Sequence, residues 1–519
     1  MKVAILVWAC AGLVAMVGEV GAAKTKYVPT PKPIRGGYEV GVYYFPGWQA
    51  AASWRPILGF PERKPLLGWY REGDPEVADW QIKWAVEHGI TFFAYDWYWV
   101  KGATSLMHAL HDGYFKAQYR RYLKFCLLWA NHNPPGTSSE ADLLNVTKFW
   151  IENYFRLPEY FTIDGKPVVI IFAPGRFTED MGADAVRAAF AKMRELCVKS
   201  GLRGLYLMAC ATPDNGLLSQ LAYEGYDAAT GYNYPYAGMK GQQGAAYDEM
   251  VTGCAGIWQD FLRIGKIPYM IPVAPGWDSR PWHGSKALVR TDPTPDKFKD
   301  MCERAKGLLD SGPPGLVPKA VIVEAWNEFG EGDYIEPSKQ FGFGYLDAIR
   351  EVFVREDMAN EHRHITPEGV GLGPYDVKGL LTRPKPDWNF DRDAEGWTAM
   401  MGLTDVAVKD GCLQAKSVGG DPAFRLPPVR IDASKLQHLV IKMRVDKGGV
   451  AQLFWASKTS GDSEERSVRW NLAEDGQFHE YRVDLTADCC WCGTVEGLRF
   501  DPTTMPDARI AIDYFRITR

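Results

Sequence analysis

Short apolar runs alternate with amphipathic stretches between Tyr38 and Phe353, and this alternation constrains the fold more than any other feature of the sequence. Helical patterns separate several of the runs, most clearly over Glu76–His88, Ala141–Phe155 and Ala183–Lys199. Eight runs have the length and composition of buried strands: Val40–Phe45, Thr91–Trp97, Lys124–Ala130, Pro167–Phe172, Gly204–Ala209, Ala228–Tyr232, Tyr269–Ala274 and Ala320–Trp326. Repeated strand–helix units predict an α/β fold, a (β/α)8 TIM barrel with long loops. A doubly wound open sheet is the alternative, but no glycine-rich phosphate fingerprint follows the first strand.

The pattern changes after the barrel region, and we predict a second domain there. A stretch rich in Gly and Pro comes first, followed by short strands with frequent turn signals. Apolar and polar residues then alternate, as a half-exposed antiparallel sheet requires, in Leu439–Val445, Val450–Trp455, His479–Leu485 and Ile510–Ile517. We therefore predict a catalytic barrel over residues 38–360, a linker over 361–386 and an all-β, jelly-roll-like sandwich over 387–519.

The N-terminus has the order of a secretory signal peptide. Lys2 precedes an apolar run from Val3 to about Val17, and small residues stand just before Lys24. We predict a signal peptide over residues 1–23, an N-terminal extension over 24–37 and a secreted or periplasmic location. Cys10 lies inside the apolar run rather than at its end, which argues against a lipid anchor. No transmembrane segment is predicted, because no run reaches the roughly 20 apolar residues that cross a bilayer.

Charge and aromatic content narrow the function. The formal net charge is −5 and Lys and Arg form no run longer than a pair, so the sequence lacks a patch that would neutralise phosphates, and nucleic acid is not expected as a partner. Aromatic residues make up 13% of the chain, with 19 Trp, which indicates a binding surface built from rings.

The cluster Cys489–Cys492 predicts a disulfide, with Cys412 as one candidate partner, or free thiols. It lacks the nearby His pair of a zinc site, and no metal or cofactor is predicted.

In a barrel of this kind the active site lies at the C-terminal ends of the strands, so the residues that end each strand are the candidates. Here they are repeatedly aromatic, amide or carboxylate. Rings stack on the apolar faces of sugars, while Asn, Asp and Glu bind hydroxyl groups, so we expect a polysaccharide or oligosaccharide substrate. The candidate substrate-binding residues are Tyr43, Tyr44, Trp48, Asp96, Trp97, Trp99, Trp129, Asn131, His132, Tyr232, Asn233, Tyr234, Trp277, Asp278, Trp282, Trp326 and Asn327.

Glu328 and Glu331 stand three residues apart where the eighth predicted strand meets its loop. Gly330 and Gly332 let the backbone turn, so that both carboxylates can face one cavity. Two carboxylates, one protonated as acid and one ionised as base or nucleophile, are the minimum for cleaving a glycosidic bond. The alternative is a pair of solvated loop acids, and the position at the strand end favours catalysis. Glu324 lies inside the same strand, where we expect a structural salt bridge.

Several motifs together carry a family resemblance. They are GVYYFPGW (41–48), GDPEV (73–77), YDWYW (95–99), LWAN (128–131) and the segment 326–332, WNEFGEG. In this order, over roughly residues 38–355, they resemble the WbsX-like family, which is similar to glycoside hydrolase family 99. The tail resembles the β-sandwich modules that accompany secreted glycoside hydrolases, which implies either polysaccharide capture or a structural cap on the barrel.

The resemblance implies retaining cleavage of α-mannosidic bonds within a chain, without a metal. It assigns Glu328 to assist the sugar 2-hydroxyl in attacking C1, which gives a 1,2-anhydro sugar, and Glu331 to act as acid and then as base. Two departures concern the substrate pocket: residues 132–137 read HNPPGT where the family commonly has an acidic, Trp- and Arg-rich stretch, and Trp97 replaces a common His. A WbsX-type glycosyltransferase and a non-catalytic polysaccharide-binding protein are the alternatives. The signal peptide argues against the first and the paired Glu residues against the second.

Overall fold

The computed structural model describes residues 26–354, 362–377, 386–391, 393–457, 461–487 and 490–519. The predicted signal peptide, Cys10 and Cys489 lie outside these ranges. Within them, no helix combines the length and apolar character that crossing a membrane requires. Cys412 and Cys492 are free thiols, so the structure does not contain the predicted disulfide to Cys412.

A parallel barrel forms the first part of the chain, as predicted. Within the described chain, the strands of this sheet that form the barrel are β1 (Glu39–Tyr44), β2 (Phe92–Val100), β3 (Lys124–Trp129), β4 (Lys166–Ile171), β5 (Tyr206–Cys210), β6 (Ala228–Thr230), β7 (Ile271–Val273) and β8 (Ala320–Val323). Each predicted strand overlaps one of these, and the strands pair in the order β7-β8-β1-β2-β3-β4-β5-β6. A parallel bridge between Ala229 and Tyr269 joins the two ends of this series and closes the barrel.

Helices follow most strands and cover the outside of the barrel. Their starts carry capping side chains, which satisfy backbone N–H groups that the first turn leaves without partners: Asp74 accepts from the Glu76 N–H and Asp214 from the Leu217 N–H. Between β2 and β3 the described chain forms a short strand, Ala103–Ser105, that pairs with β2, followed by short helical turns. The longer helices are α1 (Pro75–Glu87), α2 (Glu140–Asn153), α3 (Ala183–Lys199), α4 (Asn215–Glu224), α5 (Tyr247–Ile264), α6 (Pro295–Ser311) and α7 (Gly344–Phe353).

A two-stranded antiparallel hairpin follows β8 and precedes α7. It consists of β9 (Asn327–Glu328) and β10 (Asp333–Tyr334), with Glu328 opposite Asp333. The Trp326 N–H donates to the Tyr43 carbonyl at 2.7 Å, so the hairpin starts at the end of β1. The candidate residues that end the eighth predicted strand therefore lie on a hairpin at the C-terminal end of the barrel.

Two antiparallel sheets pack face to face in the last part of the chain, which confirms the predicted β-sandwich. The described strands are β11 (Asp387–Trp388), β12 (Thr398–Met401), β13 (Leu403–Lys409), β14 (Cys412–Ser417), β15 (Ala423–Arg425), β16 (Ile431–Asp432), β17 (His438–Val445), β18 (Val450–Ser457), β19 (Ser467–Asn471), β20 (His479–Asp484), β21 (Thr494–Asp501) and β22 (Arg509–Thr518). One sheet has the order β13-β14-β22-β17-β20, with β11 paired to β22. The other has the order β12-β15-β21-β18-β19, with β16 paired to β21. Trp397 lies in the core between the sheets and contacts Trp388, Phe424 and Phe515 edge to face.

Residues 362–377, in the predicted linker, pack against the barrel. The Trp84 indole donates to the Ile365 carbonyl at 2.9 Å, and the Tyr375 N–H donates to the Leu67 carbonyl at 2.7 Å. Leu372 and Val377 add apolar contacts to the barrel core. This part of the segment is therefore fixed to the barrel surface.

Candidate active site

The hairpin β9–β10 brings three acidic residues together. The N–H groups of Glu331 and Gly332 donate to the Glu328 carbonyl at 3.1 and 2.9 Å, which tightens the turn. Gly332 has a φ of +76°, and a Cβ there would lie 2.8 Å from the Asp278 backbone nitrogen, so the turn requires glycine. Glu328, Glu331 and Asp333 are consequently held in one short turn at the mouth of the barrel.

Side chains from the ends of other strands complete an acidic pocket. The Tyr232 hydroxyl lies 3.1 Å from Asp96 Oδ2 and 3.2 Å from Glu328 Oε1, so it joins these two carboxyl groups. Asn233 Nδ2 donates to Glu324 Oε1 at 2.7 Å. Carboxyl oxygens of Glu324, Glu331 and Asp333 all lie within 4.8 Å of one another. The ends of β2, β6 and β8 therefore contribute to one site.

Burial makes this pocket unusually favourable for protonated carboxyl groups. Asp96 is 8% exposed, Glu328 5%, and Glu324 and Asp333 are fully buried. Burial raises the pKa of Glu328 well above its usual range, and the neighbouring charge of Glu331 raises it further. Burial also raises the pKa of Glu331, to about 7. Near neutral pH, Glu331 is therefore present in both its protonated and its ionised form.

Glu324 differs from the salt bridge that the sequence predicts. Its side chain accepts from Asn233, and burial followed by the charge of Asp333 raises its pKa well above the usual range. The expectation of a cationic partner was wrong because the hairpin folds a second carboxyl group, not a Lys or Arg, against it. The three carboxyl groups of Glu324, Glu331 and Asp333 are close enough to share a cation, but protonation relieves the same repulsion, and the raised pKa values favour protons.

A buried network positions the hairpin against the first loop of the barrel. Asn327 is fully buried, accepts from the Phe45 N–H at 2.9 Å and donates to Glu72 Oε1 at 2.8 Å. Glu72 accepts in turn from the Trp48 N–H at 2.8 Å, and the Trp48 indole donates to the Asn327 carbonyl at 2.9 Å. Asn327 and Trp48 were predicted to bind substrate. The structure instead places both in the support that fixes Glu328.

An exposed ring covers one side of the turn. Trp282 is 40% exposed and lies parallel to Trp48, with ring centroids 6.2 Å apart. A Cβ on Gly330 would lie 1.9 Å from atoms of the Trp282 ring, so the ring rests directly on the backbone of this residue. Asp278 binds the Arg63 guanidinium at 2.5 Å, and its N–H donates to the Glu331 carbonyl at 2.5 Å. The loop after β7 therefore fixes the turn from outside and carries the exposed ring of Trp282.

Four predicted substrate-binding rings instead pack in the barrel's buried layers. Trp97 and Trp129 are paired in register and pack against Trp150 on α2. The Tyr44 hydroxyl donates to Gln81 on α1. These predictions were wrong because side chains alternate along a strand: Asp96 faces the pocket, so Trp97 beside it faces the helices. The rings concerned, each at most 2% exposed, are Tyr44, Trp97, Trp129 and Trp326.

The remaining predicted residues divide between support and surface. Tyr43 is buried and donates to the Gly231 carbonyl at 3.0 Å, beside Tyr232. Asn131 is also fully buried and bonds both backbone groups of Ala173, so it joins strand ends and is not a substrate ligand.

Other predicted side chains lie around the mouth. Trp99 is 5% exposed, and its indole donates to Asp142 at 3.1 Å. It lines a cavity of about 640 Å³ between the end of β2 and the start of α2. The Tyr234 hydroxyl donates to the Ala211 carbonyl at 3.0 Å. His132 is exposed, and Trp277 is half-buried.

Three residues of the site are not among the predicted catalytic and substrate-binding residues. Tyr98 is half-buried, and its pKa is raised first by burial and then by the charges of Asp96 and Glu328, which places it beside the pocket. Strand alternation was the available signal, since Tyr98 shares a face with Asp96. Glu72 could be predicted only as a residue that shapes the cleft or caps the first long loop, and Asp333 was not predicted. Their contacts depend on a loop and a hairpin, which have no period in the sequence.

The sequence profile of a family described as glycosyltransferase WbsX matches residues 60–349, which is 290 of the 519 residues. A relative named uncharacterized protein WxcX, from Xanthomonas campestris pv. campestris strain B100, is 25% identical over 323 residues. The match covers 57% of this chain and 44% of the relative, so this chain matches less than half of that protein's length.

Solved structures with a similar fold include glycoside hydrolases. The GH99 endo-α-mannosidase from Bacteroides thetaiotaomicron is 17% identical, with a TM-score of 0.45; the alignment covers 62% of this chain and 99% of that one. A glycoside hydrolase-like protein is 20% identical, with a TM-score of 0.46, over 63% of this chain and 98% of that one.

Proposed function

The chain belongs to the family described as glycosyltransferase WbsX, and we propose that it is a secreted, retaining glycoside hydrolase that cleaves α-linked glycans. The observation that carries this proposal is the Glu328–Glu331 pair, which lies in a buried acidic pocket at the C-terminal end of the barrel. Two carboxyl groups with different environments are what glycosidic cleavage requires. The motif resemblance to glycoside hydrolase family 99 favours an endo-acting enzyme on α-mannosides.

In the proposed reaction, Glu331 begins protonated and Glu328 ionised. Glu328 takes the proton of the sugar 2-hydroxyl while O2 attacks C1 and the C1–O bond to the leaving sugar breaks. Glu331 gives its proton to the departing oxygen, and a 1,2-anhydro sugar remains. Water then opens this ring at C1: it passes a proton to Glu331, and Glu328 returns its proton to O2. Two inversions at C1 give net retention, and both carboxyl groups end as they began.

The Tyr232 hydroxyl and the protonation of Glu331 both support Glu328 as the base. A hydrogen bond from Tyr232 to Glu328 favours the ionised carboxylate. The charge of Glu331 raises the pKa of Glu328, so a protonated Glu331 removes that contribution and favours ionisation of its neighbour. Burial raises the pKa of Glu328 as well, so the proposal requires the one-proton state of the pair in which Glu331, and not Glu328, holds the proton.

Glycosyl transfer from a nucleotide sugar is the second candidate, because the family description names it. In this pocket, the diphosphate of a nucleotide sugar would lie beside the acidic residues Asp96, Glu324, Glu328, Glu331 and Asp333. Arg63, the cation bound to the adjacent loop, is already paired with Asp278. These acidic groups offer the phosphates no cation to pair with, so the pocket favours hydrolysis of a neutral glycan unless a divalent cation is bound between the phosphate and carboxyl groups.

The test is product release from a panel of α-linked mannans, other α-linked polysaccharides and oligosaccharides, measured beside transfer from nucleotide sugars with and without Mn²⁺. Hydrolysis of at least one glycan without a nucleotide sugar supports the proposal. Transfer that depends on a nucleotide sugar, or glycan binding without cleavage of any panel member, contradicts it.

The proposed proton positions predict a bell-shaped pH dependence. Activity should fall as the pH rises above about 7, because Glu331, whose pKa burial raises to about 7, loses the proton that it must donate. It should also fall as the pH drops and Glu328 gains a proton, because Glu328 can then no longer act as base. Burial raises the pKa of Glu328 well above its usual range, so this acidic limb should lie at a higher pH than for an ordinary Glu. The measurement is kcat/KM from pH 4 to 9. An alkaline limb that persists unchanged in Glu331→Gln would contradict the assignment.

Gly330→Ala should weaken substrate binding by displacing Trp282. The new Cβ would overlap the ring, which can swing into solvent because it is already 40% exposed. We expect KM to rise several-fold and the melting temperature to change little. Gly307→Ala on α6 is the matched control, because a Cβ there meets nothing within 4 Å. Equal KM values in the two variants would argue against Trp282 as a sugar platform.

We further propose that the β-sandwich binds glycan, through a groove on the sheet that contains β18 and β21. The groove has a volume of about 500 Å³ and polar walls that include Gln452, Arg469 and Arg499. Arg499 binds both oxygens of Asp501, at 2.8 and 2.7 Å, and stacks over Phe454 at 4.8 Å, which fixes its donors for sugar hydroxyls. Trp455 and Trp491 are buried against each other, so neither ring offers an exposed platform on the sandwich.

Arg499→Ala should therefore weaken retention on insoluble polysaccharide by about tenfold or more, while kcat on a short soluble oligosaccharide stays unchanged. Arg482→Ala, an exposed substitution on the other sheet, is the matched control. Pull-down with the insoluble polysaccharide measures the effect, and the melting temperature verifies folding. Equal retention of both variants would leave the sandwich with a structural role only.

A further inference from the structure

Three histidines and an aspartate meet on the outer surface of the barrel, away from the acidic pocket. His88 ends α1, Asp347 lies in the first turn of α7, and His362 and His364 belong to the segment that follows. One ring nitrogen from each histidine lies within 4.8 Å of the other two. We propose that His88, His362, His364 and Asp347 form a binding site for one zinc-class transition-metal ion.

The hydrogen bonds of His88 leave one nitrogen available for a metal. Its Nδ1 lies 2.6 Å from the Trp84 carbonyl, which can only accept, so Nδ1 carries the proton. The other nitrogen, Nε2, therefore presents a lone pair. This tautomer, fixed by a bond to a backbone carbonyl, is the usual arrangement for a metal-binding histidine.

His88 Nε2 is buried and lacks a hydrogen-bond partner among the described residues. It points toward Asp347 Oδ1 at 3.5 Å, so the nitrogen of a fully buried ring faces a second electron-pair donor on a partly exposed side chain. A cation between them would satisfy both. His364 Nε2 lies 2.8 Å from the same oxygen, and the rings of His88 and His362 are 4.5 Å apart at 80°, so further donors approach the same point.

The donor set and spacing fit zinc better than a hard cation. Tetrahedral zinc with bonds of 2.0–2.1 Å to nitrogen separates its ligand atoms by about 3.3 Å, close to the 3.5 Å between His88 and Asp347. Imidazole nitrogens suit Zn²⁺, Cu²⁺ and Ni²⁺, whereas Ca²⁺ and Mg²⁺ require oxygen ligands. Phe343 stacks on His364 with centroids 4.2 Å apart and so fixes that ring. Arg350, the neighbouring cation, donates to the Glu87 carbonyl.

The bound metal would cross-link separate parts of the chain. It joins α1 and α7 to the segment 362–377, and binding to the folded chain alone would stabilise that arrangement. Catalysis would not need the metal, because none of its ligands belongs to the acidic pocket. This inference is therefore independent of the proposed hydrolase activity.

The experiment uses the whole chain without a polyhistidine tag, stripped with EDTA and then titrated with Zn²⁺ against a chromophoric chelator. We expect one Zn²⁺ per chain, a melting temperature raised by a few degrees, and a tetrahedral absorption spectrum when Co²⁺ replaces Zn²⁺. His364→Ala and Asp347→Asn should each lower the affinity at least tenfold. Both positions are partly exposed, so these variants should fold even if a His88 variant does not.

His479→Ala provides the matched control. His479 forms a similar pair with Asp475, at 2.9 Å, on the sandwich, so its loss should leave Zn²⁺ binding unchanged. Glu331→Gln should also bind one Zn²⁺, which distinguishes this site from the carboxyl cluster. The proposal would be overturned if the stripped wild type bound well below one Zn²⁺ per chain. It would also be overturned if His364→Ala and His479→Ala bound Zn²⁺ with the same affinity.

Discussion

Glu331→Gln should lower kcat/KM on an unactivated glycan by about 10²- to 10⁴-fold, the usual contribution of a general acid–base group. Gln has nearly the same shape but cannot donate a carboxylic proton to the departing oxygen. The loss should be much smaller on a glycoside whose leaving group departs without protonation, such as a dinitrophenyl glycoside. Initial rates on the two substrates measure this difference directly.

Glu152→Gln is the control for that variant, because Glu152 is an exposed residue of α2 and the substitution is the same. It should behave as wild type on both substrates. If Glu331→Gln lost activity equally on the activated and the unactivated substrate, Glu331 would not be the acid. If it kept wild-type activity on both, the residue would have no catalytic role.

Glu328→Gln should abolish activity on both kinds of substrate, with a loss of at least about 10³-fold. The departing group does not change the need to remove the proton of the 2-hydroxyl, so an activated substrate gives no relief. A glycoside that lacks the 2-hydroxyl should not be cleaved even by the wild type. Single-turnover rates of wild type, Glu328→Gln and the double variant with Glu331→Gln test the pair, whose losses should not add.

Two outcomes would contradict this role. If the wild type cleaved the 2-deoxy glycoside as fast as the parent glycoside, participation of the sugar 2-hydroxyl would be excluded. If a sugar were trapped covalently on Glu328, this residue would be a nucleophile instead. Tyr232→Phe is the matched partial change, since it removes one hydrogen bond to Glu328 and leaves the carboxyl group. Its effect should be far smaller than that of Glu328→Gln.

The barrel and the sandwich were predictable from the sequence because the spacing of apolar residues and the residue composition indicate their strands. Continuous apolar runs such as that around Val321 are typical of strands buried on both faces, and alternation in His438–Val445 is typical of a half-exposed sheet. The position of Glu328 and Glu331 followed from the same reasoning, since the last strand of a barrel ends at the functional face.

The individual contacts of the site were less predictable. The consecutive residues Asp96 and Trp97 looked equivalent in the sequence as candidates for substrate binding. Alternation along the strand instead turns Asp96 toward the pocket and Trp97 toward the helices. The roles of Asn327 and Glu72 depend on a hydrogen bond between the hairpin and a loop, although the two residues are 255 positions apart in the sequence. Such long-range hydrogen bonds leave no local pattern, so only the folded structure assigns these residues to support.

The most direct test of the central claim is a time course of glycan cleavage followed by ¹H NMR, with wild type and Glu331→Gln at equal concentration on the substrate that the panel identifies. The account predicts that wild type first releases the α-anomer at the new reducing end, as net retention requires, while Glu331→Gln releases almost none. Equal rates of product release by the two proteins, or a β-anomer formed first by the wild type, would contradict it.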